Sequence, residues 1–197
     1  MGRRRIGAGG PALPARALSR TGATWRPEGQ AGLSAHYRDW LTHADSLTAR
    51  LRTYRGVFAV KILFQGVGRP LSWERALLRA GTVCHVREVL LLVDGRAVVW
   101  ARTVLDQSAL RGPWRFLSGL GTRPLGARLF TDPAISRSRF LFLPPGCLAF
   151  SGAGRQTPTH GARALRCALL ARAGKVALLS EVLLPAVLAL QHPPGDG

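Results

Sequence analysis

The sequence predicts an α+β domain whose β-sheet is mostly antiparallel. Two pairs of long apolar segments each enclose a two-residue turn, Asp94-Gly95 in the first pair and Ala173-Gly174 in the second, which is the pattern of β-hairpins. A single longer segment has apolar residues at helical spacing, and the connections between strands carry only short helical stretches. No internal repeat interrupts this pattern.

Length and composition fit one folded domain, with or without tails. The chain has 197 residues, 47% of them hydrophobic, which is enough for a substantial core. Basic residues outnumber acidic ones 28 to 10, and all of the basic residues except Lys61 and Lys175 are arginine. With abundant alanine, glycine and leucine, this skew is more typical of GC-rich coding than of a selected surface. The alternative is an RNA-binding or anionic-membrane surface with steep salt dependence, but no basic patch interleaved with aromatic residues is present. We therefore expect no nucleic-acid partner.

The cysteines and histidines do not form a metal-binding pattern. The three cysteines (Cys84, Cys147 and Cys167) include no CxxC pair, and the five histidines are scattered without an HExxH motif. Many zinc sites use closely spaced ligands of these types. We therefore expect a reduced, cytoplasmic protein without a metal site.

The two ends of the chain differ in composition from the middle. Residues 1–32 are rich in glycine, proline, alanine and arginine and have no apolar periodicity, so we expect a basic, disordered tail. Arg3-Arg4-Arg5 is followed by no apolar segment, which excludes a secretory signal, although an organellar transit peptide would also fit. The folded domain is predicted to span residues 33–187, and residues 188–197 form a second tail.

The first half of the domain is predicted to contain a helix, a strand and a helical turn. Ser34 can cap a helix that runs to about Arg52, with an apolar face made of Trp40, Leu41, Ala44, Leu47 and Leu51. The segment Val57–Gln65 reads as a strand that is buried on both faces. A short helical turn is expected at Trp73–Arg79.

The second half contains the two hairpins and their connections. The first hairpin pairs Val83–Val93 with Arg96–Leu105, and the second pairs Ala164–Arg172 with Val176–Leu184. Between them the pattern predicts a short helix at Pro113–Leu120, a turn and short helix at Pro124–Phe130, a strand at Ser138–Leu143, and a loop over residues 144–161. The apolar stretch 176–190 is too short to span a membrane comfortably and contains Glu181, so we expect no membrane insertion.

Two charged residues lie within strongly apolar predicted strands. Arg87 lies in the first hairpin and Glu181 in the second. A desolvated guanidinium requires an anionic partner, because an unpaired buried charge is very costly. The spacing leaves two interpretations open. In the first, Arg87 pairs across strands with Glu181 or with the neighbours of Glu88 and holds the sheet together; in the second, the two charges face a cavity for a small anion. A GxSxG motif, a phosphate-binding loop and a glycosidase-like carboxylate pair are all absent.

Four blocks of sequence occur in order between about residues 36 and 187. They are Asp39-Trp40-Leu41 with Asp45-Ser46-Leu47-Thr48; Arg87-Glu88-Val89-Leu90-Leu91 with Asp94-Gly95 and Ala101-Arg102-Thr103-Val104; Pro124-Leu125-Gly126 with Leu129-Phe130-Thr131; and Leu178-Leu179-Ser180-Glu181 through Leu184-Pro185. No single block is specific, but four in this order resemble the chorismate lyase (chorismate–pyruvate lyase) family.

The resemblance implies a fold, an activity and a location. The fold would be a single antiparallel sheet flanked by helices, with the ligand enclosed under helical flaps. The activity would be a lyase reaction that converts chorismate to 4-hydroxybenzoate and pyruvate at the start of ubiquinone biosynthesis, without metal or organic cofactor. We expect a cytoplasmic monomer whose partner is its small-molecule substrate.

The resemblance also implies which residues form the site. Arg87 would bind the ring carboxylate, for which a guanidinium offers a bidentate fork, and the main-chain amide of Leu125 would contact the same carboxylate. Glu181 would meet the ring hydroxyl, where a carboxyl group can accept or donate one proton. A main-chain group at Leu47 would assist on the hydroxyl side. Arg87 and Glu181 are thus the predicted catalytic residues.

A second interpretation belongs to a different functional class. The same fold serves as a non-catalytic, small-anion sensor domain attached to winged-helix transcription regulators. That interpretation predicts a DNA-binding domain upstream, which a tail of 32 residues cannot supply.

Overall fold

An antiparallel β-sheet forms the centre of the protein. The computed structural model describes residues 34–54, 56–129, 131–143 and 164–190, together with Pro11. The strands are β1 (Phe58–Gly68), β2 (Cys84–Val93), β3 (Arg96–Asp106), β4 (Ser136–Arg137), β5 (Leu141–Leu143), β6 (Ala164–Arg172) and β7 (Lys175–Leu183). Their order is β1-β2-β3-β7-β6-β4, with β5 also paired to β6, and each of these pairings is antiparallel. The predicted α+β class is therefore confirmed.

Short helices flank the sheet. They are α1 (Ala35–Thr42), α2 (Leu47–Thr53), α3 (Ser72–Leu78), α4 (Gln107–Arg111) and α5 (Leu125–Leu129), with 3-10 turns at Arg115–Leu117 and Pro185–Ala189. The last turn extends past residue 187, the predicted end of the domain. In the described ranges, no helix has the length and apolar character needed to cross a bilayer. The predicted tail over residues 1–32 and the predicted loop over residues 144–161 lie outside the described residues, apart from Pro11.

Both predicted hairpins are confirmed, and their turns explain their register. Asp94 and Gly95 have φ values of 48° and 73°, and Ala173 and Gly174 have φ values of 45° and 74°. Two successive left-handed residues match the right-handed twist of the flanking strands. Each turn therefore joins its strands without a longer loop.

The predicted first helix is in fact two helices. Ser34 caps α1 as predicted, with its Oγ accepting from the Tyr37 amide at 3.3 Å, but α1 ends at Thr42. Ser46 then caps α2, and its Oγ accepts from the Ala49 amide at 3.2 Å. A serine side chain that bonds the backbone ahead of it favours a new helix start over continuation of the old helix.

The prediction that both faces of the strand Val57–Gln65 are buried was wrong. Val57 is 73% exposed and Ile62 is 37% exposed, and β1 lies at one end of the strand order in the described sheet. A β-bulge between Ile62 and Phe64 shifts the pairing of β1 with β2.

Two connecting regions form elements other than those predicted. The helix predicted at Pro113–Leu120 is reduced to the 3-10 turn, which follows an unpredicted α4. The strand predicted at Ser138–Leu143 is replaced by β4 and β5. Both regions lie in connections, where short elements depend on packing more than on local pattern.

The core lies on both faces of the sheet. On one face α1 and α2 pack against the centre of the sheet, through a cluster that includes Trp40, Leu47, Val99 and Leu183. Beside it, residues of α4, the first 3-10 turn and α5 pack against β3, β6 and β7. On the opposite face α3 contributes Leu77 to a cluster with Trp100 and Leu178. Helices α2 and α5 therefore lie next to each other over the same side of the sheet.

Candidate active site

A small enclosed cavity lies between the sheet and helices α2 and α5. Its walls are formed by Thr48, Arg87, Val89, Leu91, Ala101, Thr103, Pro124, Leu125, Gly126, Leu179 and Glu181. The volume is about 30 Å³, which is room for a few water molecules at roughly 10–15 Å³ each. The walls are mostly apolar, with charged groups supplied by one arginine and one glutamate.

The register of the sheet brings these residues to one face. Arg87 is paired with Thr103 across β2 and β3, and Ala101 is paired with Glu181 across β3 and β7. Directly paired residues point to the same face of a sheet, and alternate residues of a strand share that face. The two charges that lie far apart in sequence therefore face the same cavity.

Arg87 is a buried cation with neutral partners. Its side chain is 2% exposed. Nη1 donates to Oε1 of Gln65, and Nη2 donates to the carbonyl of Gly121 at 2.8 Å and to that of Arg123 at 3.5 Å. Burial lowers the pKa of the Arg87 guanidinium. Its partners orient the group but supply no negative charge.

The interpretation of Arg87 as half of a structural ion pair is therefore wrong. In the part of the chain that the structure describes, its guanidinium is in no salt bridge, while Glu88 and Glu181 each pair with a different arginine. An arginine buried this deeply without an anion is energetically unfavourable unless a ligand supplies one.

Glu181 pairs with Arg166, a residue that sequence reasoning missed. Oε2 of Glu181 accepts from Nε of Arg166 at 2.7 Å, and the glutamate side chain is 12% exposed. Nη1 of Arg166 donates to the carbonyls of Leu41 and His43 at 3.1 and 2.7 Å. The apolar sequence neighbours of Glu181 indicated an apolar environment, whereas the carboxylate has a counter-ion in Arg166.

A signal for Arg166 was present in the sequence. Arg166 and Glu181 lie at equal distances from the turn at Ala173-Gly174, and residues related in this way face each other across a two-residue hairpin. The structure shows that register directly, with Arg166 opposite Glu181.

Leu125 and Leu47 begin the two helices that cover the cavity. Leu125 is the first residue of α5 and lines the cavity. Leu47 is the first residue of α2, and its side chain is buried in the adjoining core, while the next residue, Thr48, lines the cavity. A Cβ atom on Gly126 would lie 2.8 Å from Oγ of Ser46 and 2.9 Å from Oγ1 of Thr48. The two helices therefore meet closely over the cavity.

Of the four predicted site residues, the structure brings Arg87, Leu125 and Glu181 to the cavity wall. The Leu47 side chain points into the core instead, which does not affect a role assigned to its main chain. The roles of all four residues stay predictions.

Comparison with known proteins identifies the family. The model of the chorismate lyase family matches residues 18–189. This chain belongs to the chorismate lyase family. A relative from Azoarcus sp. (strain BH72) is 41% identical over 188 residues, covering 88% of this chain and 97% of its own, and is named a probable chorismate pyruvate-lyase. A relative from Aromatoleum aromaticum, also named a probable chorismate pyruvate-lyase, is 43% identical over 166 residues, which cover 79% of this chain and 88% of the relative.

The family resemblance based on the four blocks is thus confirmed, and with it the assignment of the protein as a lyase. The family match begins at residue 18, inside the predicted tail. Among solved structures, the effector domain of PhnF from Mycobacterium smegmatis is similar to this chain with a TM-score of 0.43 and 11% identity, covering 72% of this chain and 89% of that one.

A second buried charge cluster, on the opposite face of the sheet, is structural. Nε of Arg102 donates to Oε1 of Glu74 at 2.8 Å and Nη2 to Oε2 at 3.1 Å, while Nη1 pairs with Glu88. Glu74 also accepts from the Leu71 amide at 2.7 Å and so caps α3. All three charged side chains are almost fully buried and partnered, which ties α3 to the sheet.

No cluster of three histidine, cysteine or acidic side chains suited to a metal ion occurs among the described residues.

Proposed function

We propose that this protein converts chorismate to 4-hydroxybenzoate and pyruvate in the cavity under α2 and α5. The observation that carries the proposal is Arg87, a buried guanidinium that has oriented neutral partners and no carboxylate partner in the described chain. Such a group is suited to receive a carboxylate from a ligand. Family membership supplies the identity of that ligand.

Arg87 would bind the ring carboxylate of the substrate. A guanidinium has five N–H donors in a planar fork, and the bonds to Gln65, Gly121 and Arg123 do not use all of them. The remaining donors can form charge-assisted bonds to a planar carboxylate. The main-chain amide of Leu125, on the wall of the same cavity, would contact that carboxylate as well.

Glu181 would act at the other end of the ring. It shares the cavity with Arg87, and Arg166 holds its carboxylate in place. We assign it the hydroxyl side of the ring, together with a main-chain group of Leu47, the residue before the cavity-lining Thr48. A carboxylate fixed in this way can accept or donate one proton during the reaction.

The chemistry makes modest demands on the protein. Chorismate carries a ring carboxylate, an enolpyruvyl ether at C3 and a hydroxyl at C4. Breaking the C3–O bond and removing the C4 proton leaves an aromatic ring, and the departing enolpyruvate gains a proton to become pyruvate. Because aromatisation is strongly favourable, orientation of the substrate and transfer of one proton can supply most of the catalysis.

The closed cavity implies that α2 and α5 move when substrate enters. A volume of about 30 Å³ is far below the roughly 300 Å³ or more of typical small-molecule pockets. The close contact of Gly126 with Ser46 and Thr48 joins the two helices over the cavity. Separation of these helices is therefore the opening step that we propose.

The finer biological assignments follow from the same family resemblance. We place the reaction at the start of ubiquinone biosynthesis, in the cytoplasm, and expect the enzyme to act as a monomer without metal or organic cofactor. Size-exclusion chromatography with light scattering checks the oligomeric state, and a deletion strain that recovers ubiquinone on expression of this chain checks the pathway.

Purified protein tests the activity directly. With chorismate it should release pyruvate, measured by a coupled assay, and 4-hydroxybenzoate in equal amounts, and EDTA should have no effect. A folded protein that produces neither compound, or that loses activity on chelation, contradicts the proposal. A protein that binds 4-hydroxybenzoate tightly but releases no pyruvate would match the alternative, a non-catalytic small-anion-binding domain.

A further inference from the structure

We infer that Gln65 is a positioning residue for Arg87, and that its neutrality keeps the guanidinium available to the carboxylate of a ligand. The inference rests on the proposed function and adds a residue outside the four sequence blocks. Gln65 accepts from Nη1 of Arg87 through Oε1. It therefore contacts the proposed anion-binding group without lining the cavity itself.

A β-bulge brings Gln65 to the side of the sheet that holds the cavity. Before the bulge Ile62 pairs with Val89, and after it Gln65 pairs with Arg87. Val89 and Arg87 both line the cavity, so Ile62 and Gln65 lie on the same face although they are three positions apart in the strand. Regular alternation would have put Gln65 on the other face. Bulges commonly re-aim a side chain in this way next to functional sites.

The chemistry of the neighbours determines how the amide of Gln65 is oriented. The guanidinium of Arg87 has no acceptor, so it must face the amide oxygen. On the other side, Nε2 of Gln65 donates to the carbonyls of Leu117 and Ser118 at 3.3 and 3.0 Å. The side chain thus links β1 and β2 to the 3-10 turn and holds the guanidinium from one end.

The opposite face of the same hairpin shows what the fold does when an arginine is purely structural. There Arg102, paired in register with Glu88, is neutralised by Glu88 and Glu74. Gln65 has nearly the shape of a glutamate but brings no charge to Arg87. A glutamate at this position would form a strong charge-assisted pair with Arg87 and would compete with an incoming carboxylate.

The decisive variant is Gln65→Glu, which keeps the shape and adds the charge. Binding of 4-hydroxybenzoate, measured by calorimetry, should weaken by about 30-fold or more, the effect expected when a buried charge pair is lost. KM for chorismate should rise more than kcat falls. In the ligand-free variant Arg87 gains a charged partner, but a carboxylate oxygen replaces the Nε2 donor that faces the carbonyls of Leu117 and Ser118. Because these two effects have opposite signs, the free energy of unfolding should change little.

The pH dependence separates this role from a structural one. Protonation of the introduced carboxyl removes its charge, so the ratio of variant to wild-type Kd should move toward one as the pH is lowered. Taking the ratio removes the titration of the ligand itself. The neutral ligand 4-hydroxybenzamide should bind the variant and the wild type with similar affinity, since it brings no anion to compete.

Two further variants serve as controls. Gln107→Glu adds the same charge at the first residue of α4, which does not line the cavity, and should bind as the wild type does. Gln65→Met keeps the stem but removes the amide, so binding should weaken by roughly fivefold or more through loss of orientation, with no recovery at low pH. If Gln65→Glu does not fold, this methionine variant decides: raised KM with little change in kcat supports the role, and wild-type kinetics overturn it.

The outcomes also separate this inference from the proposed function. If the wild-type protein neither binds 4-hydroxybenzoate nor releases pyruvate, the proposed function is contradicted. If the wild type is active and the Gln65→Glu variant binds 4-hydroxybenzoate equally well, only the role of Gln65 is contradicted. A loss of binding that is the same at every pH, and equal to that of Gln65→Met, would make Gln65 a structural residue.

Discussion

Replacing Arg87 by methionine should separate ligand binding from folding stability. Methionine keeps an unbranched apolar side chain but removes the charge and the donors. In the ligand-free protein this removes a buried cation that has no carboxylate partner among the described residues, and the burial of such a cation costs several kcal/mol of stability. It also leaves Oε1 of Gln65 and the carbonyl oxygen of Gly121 without the donors that Arg87 supplies. Each unsatisfied acceptor costs about 1–3 kcal/mol. Because these terms have opposite signs, we expect the free energy of unfolding to change by no more than about 2 kcal/mol.

Binding should respond very differently. Loss of one partner of a buried charge pair costs roughly 2–5 kcal/mol, which corresponds to an increase of about 30-fold to several thousand-fold in the Kd for 4-hydroxybenzoate. Arg87→Lys should recover part of this affinity, because it restores the charge but not the planar fork.

Arg102→Met is the matched control on the opposite face of the sheet. Arg102 is buried as deeply as Arg87 but pairs with Glu74 and Glu88. Its removal leaves two buried carboxylates without a cation and should lower the free energy of unfolding by about 3–5 kcal/mol. The folded fraction should still bind 4-hydroxybenzoate.

Urea unfolding and ligand titration of both variants test the reasoning. If Arg87→Met is as destabilising as Arg102→Met, Arg87 is a structural residue and the interpretation of an unpaired cation fails. If Arg87→Met binds 4-hydroxybenzoate as tightly as the wild type, the cavity is not the carboxylate site.

Three further predictions concern the rest of the site. Glu181→Gln should lower the single-turnover rate by roughly 10²–10⁴ and change 4-hydroxybenzoate affinity much less; a near wild-type rate would leave Glu181 with a positioning or structural role. Gly126→Ala places a methyl group 2.8 Å from Oγ of Ser46, so it should push α2 and α5 apart and speed 4-hydroxybenzoate release in stopped-flow measurements; an unchanged release rate would mean that the contact does not restrain opening. Burial and then the charge of Arg87 lower the pKa of His85 below its usual 6.5. As the pH is lowered, the unfolded chain therefore binds the proton first, and the free energy of unfolding falls below about pH 6.5. His85→Gln should make this pH dependence smaller in urea titrations from about pH 7 to pH 5.

Local sequence rules predicted the strands and turns of the two hairpins. Asp94-Gly95 and Ala173-Gly174 adopt left-handed conformations at both turn residues, as their positions between apolar strands indicated. Two-residue turns set the pairing of the strands beside them, and in the structure β2 presents Arg87, Val89 and Leu91 to the cavity. These features depend on neighbours in sequence, and a single chain contains that information.

The four blocks of sequence indicated the family and the candidate site residues. They pointed to Arg87, Leu125 and Glu181, which the structure brings to one cavity. Periodicity by itself could not choose between an internal ion pair and an anion site. That choice required the partners of each charge, because a strand pattern says which face a side chain occupies and not which atoms meet it there.

Tertiary structure alone decided the partners and the exceptions to regular spacing. Nothing in the pattern of β1 marks the bulge that turns Gln65 toward Arg87, since a bulge is stabilised by the pairing of two strands and not by either one. The break between α1 and α2 has a local signal in the Ser46 cap, but the bonds from Arg166 to the carbonyls of Leu41 and His43 come from a distant strand. The sequence by itself determined which strands carry the charges. The register, the bulge and the packing of distant segments determined that Arg166 is neutralised by Glu181, whereas Arg87 has neutral partners.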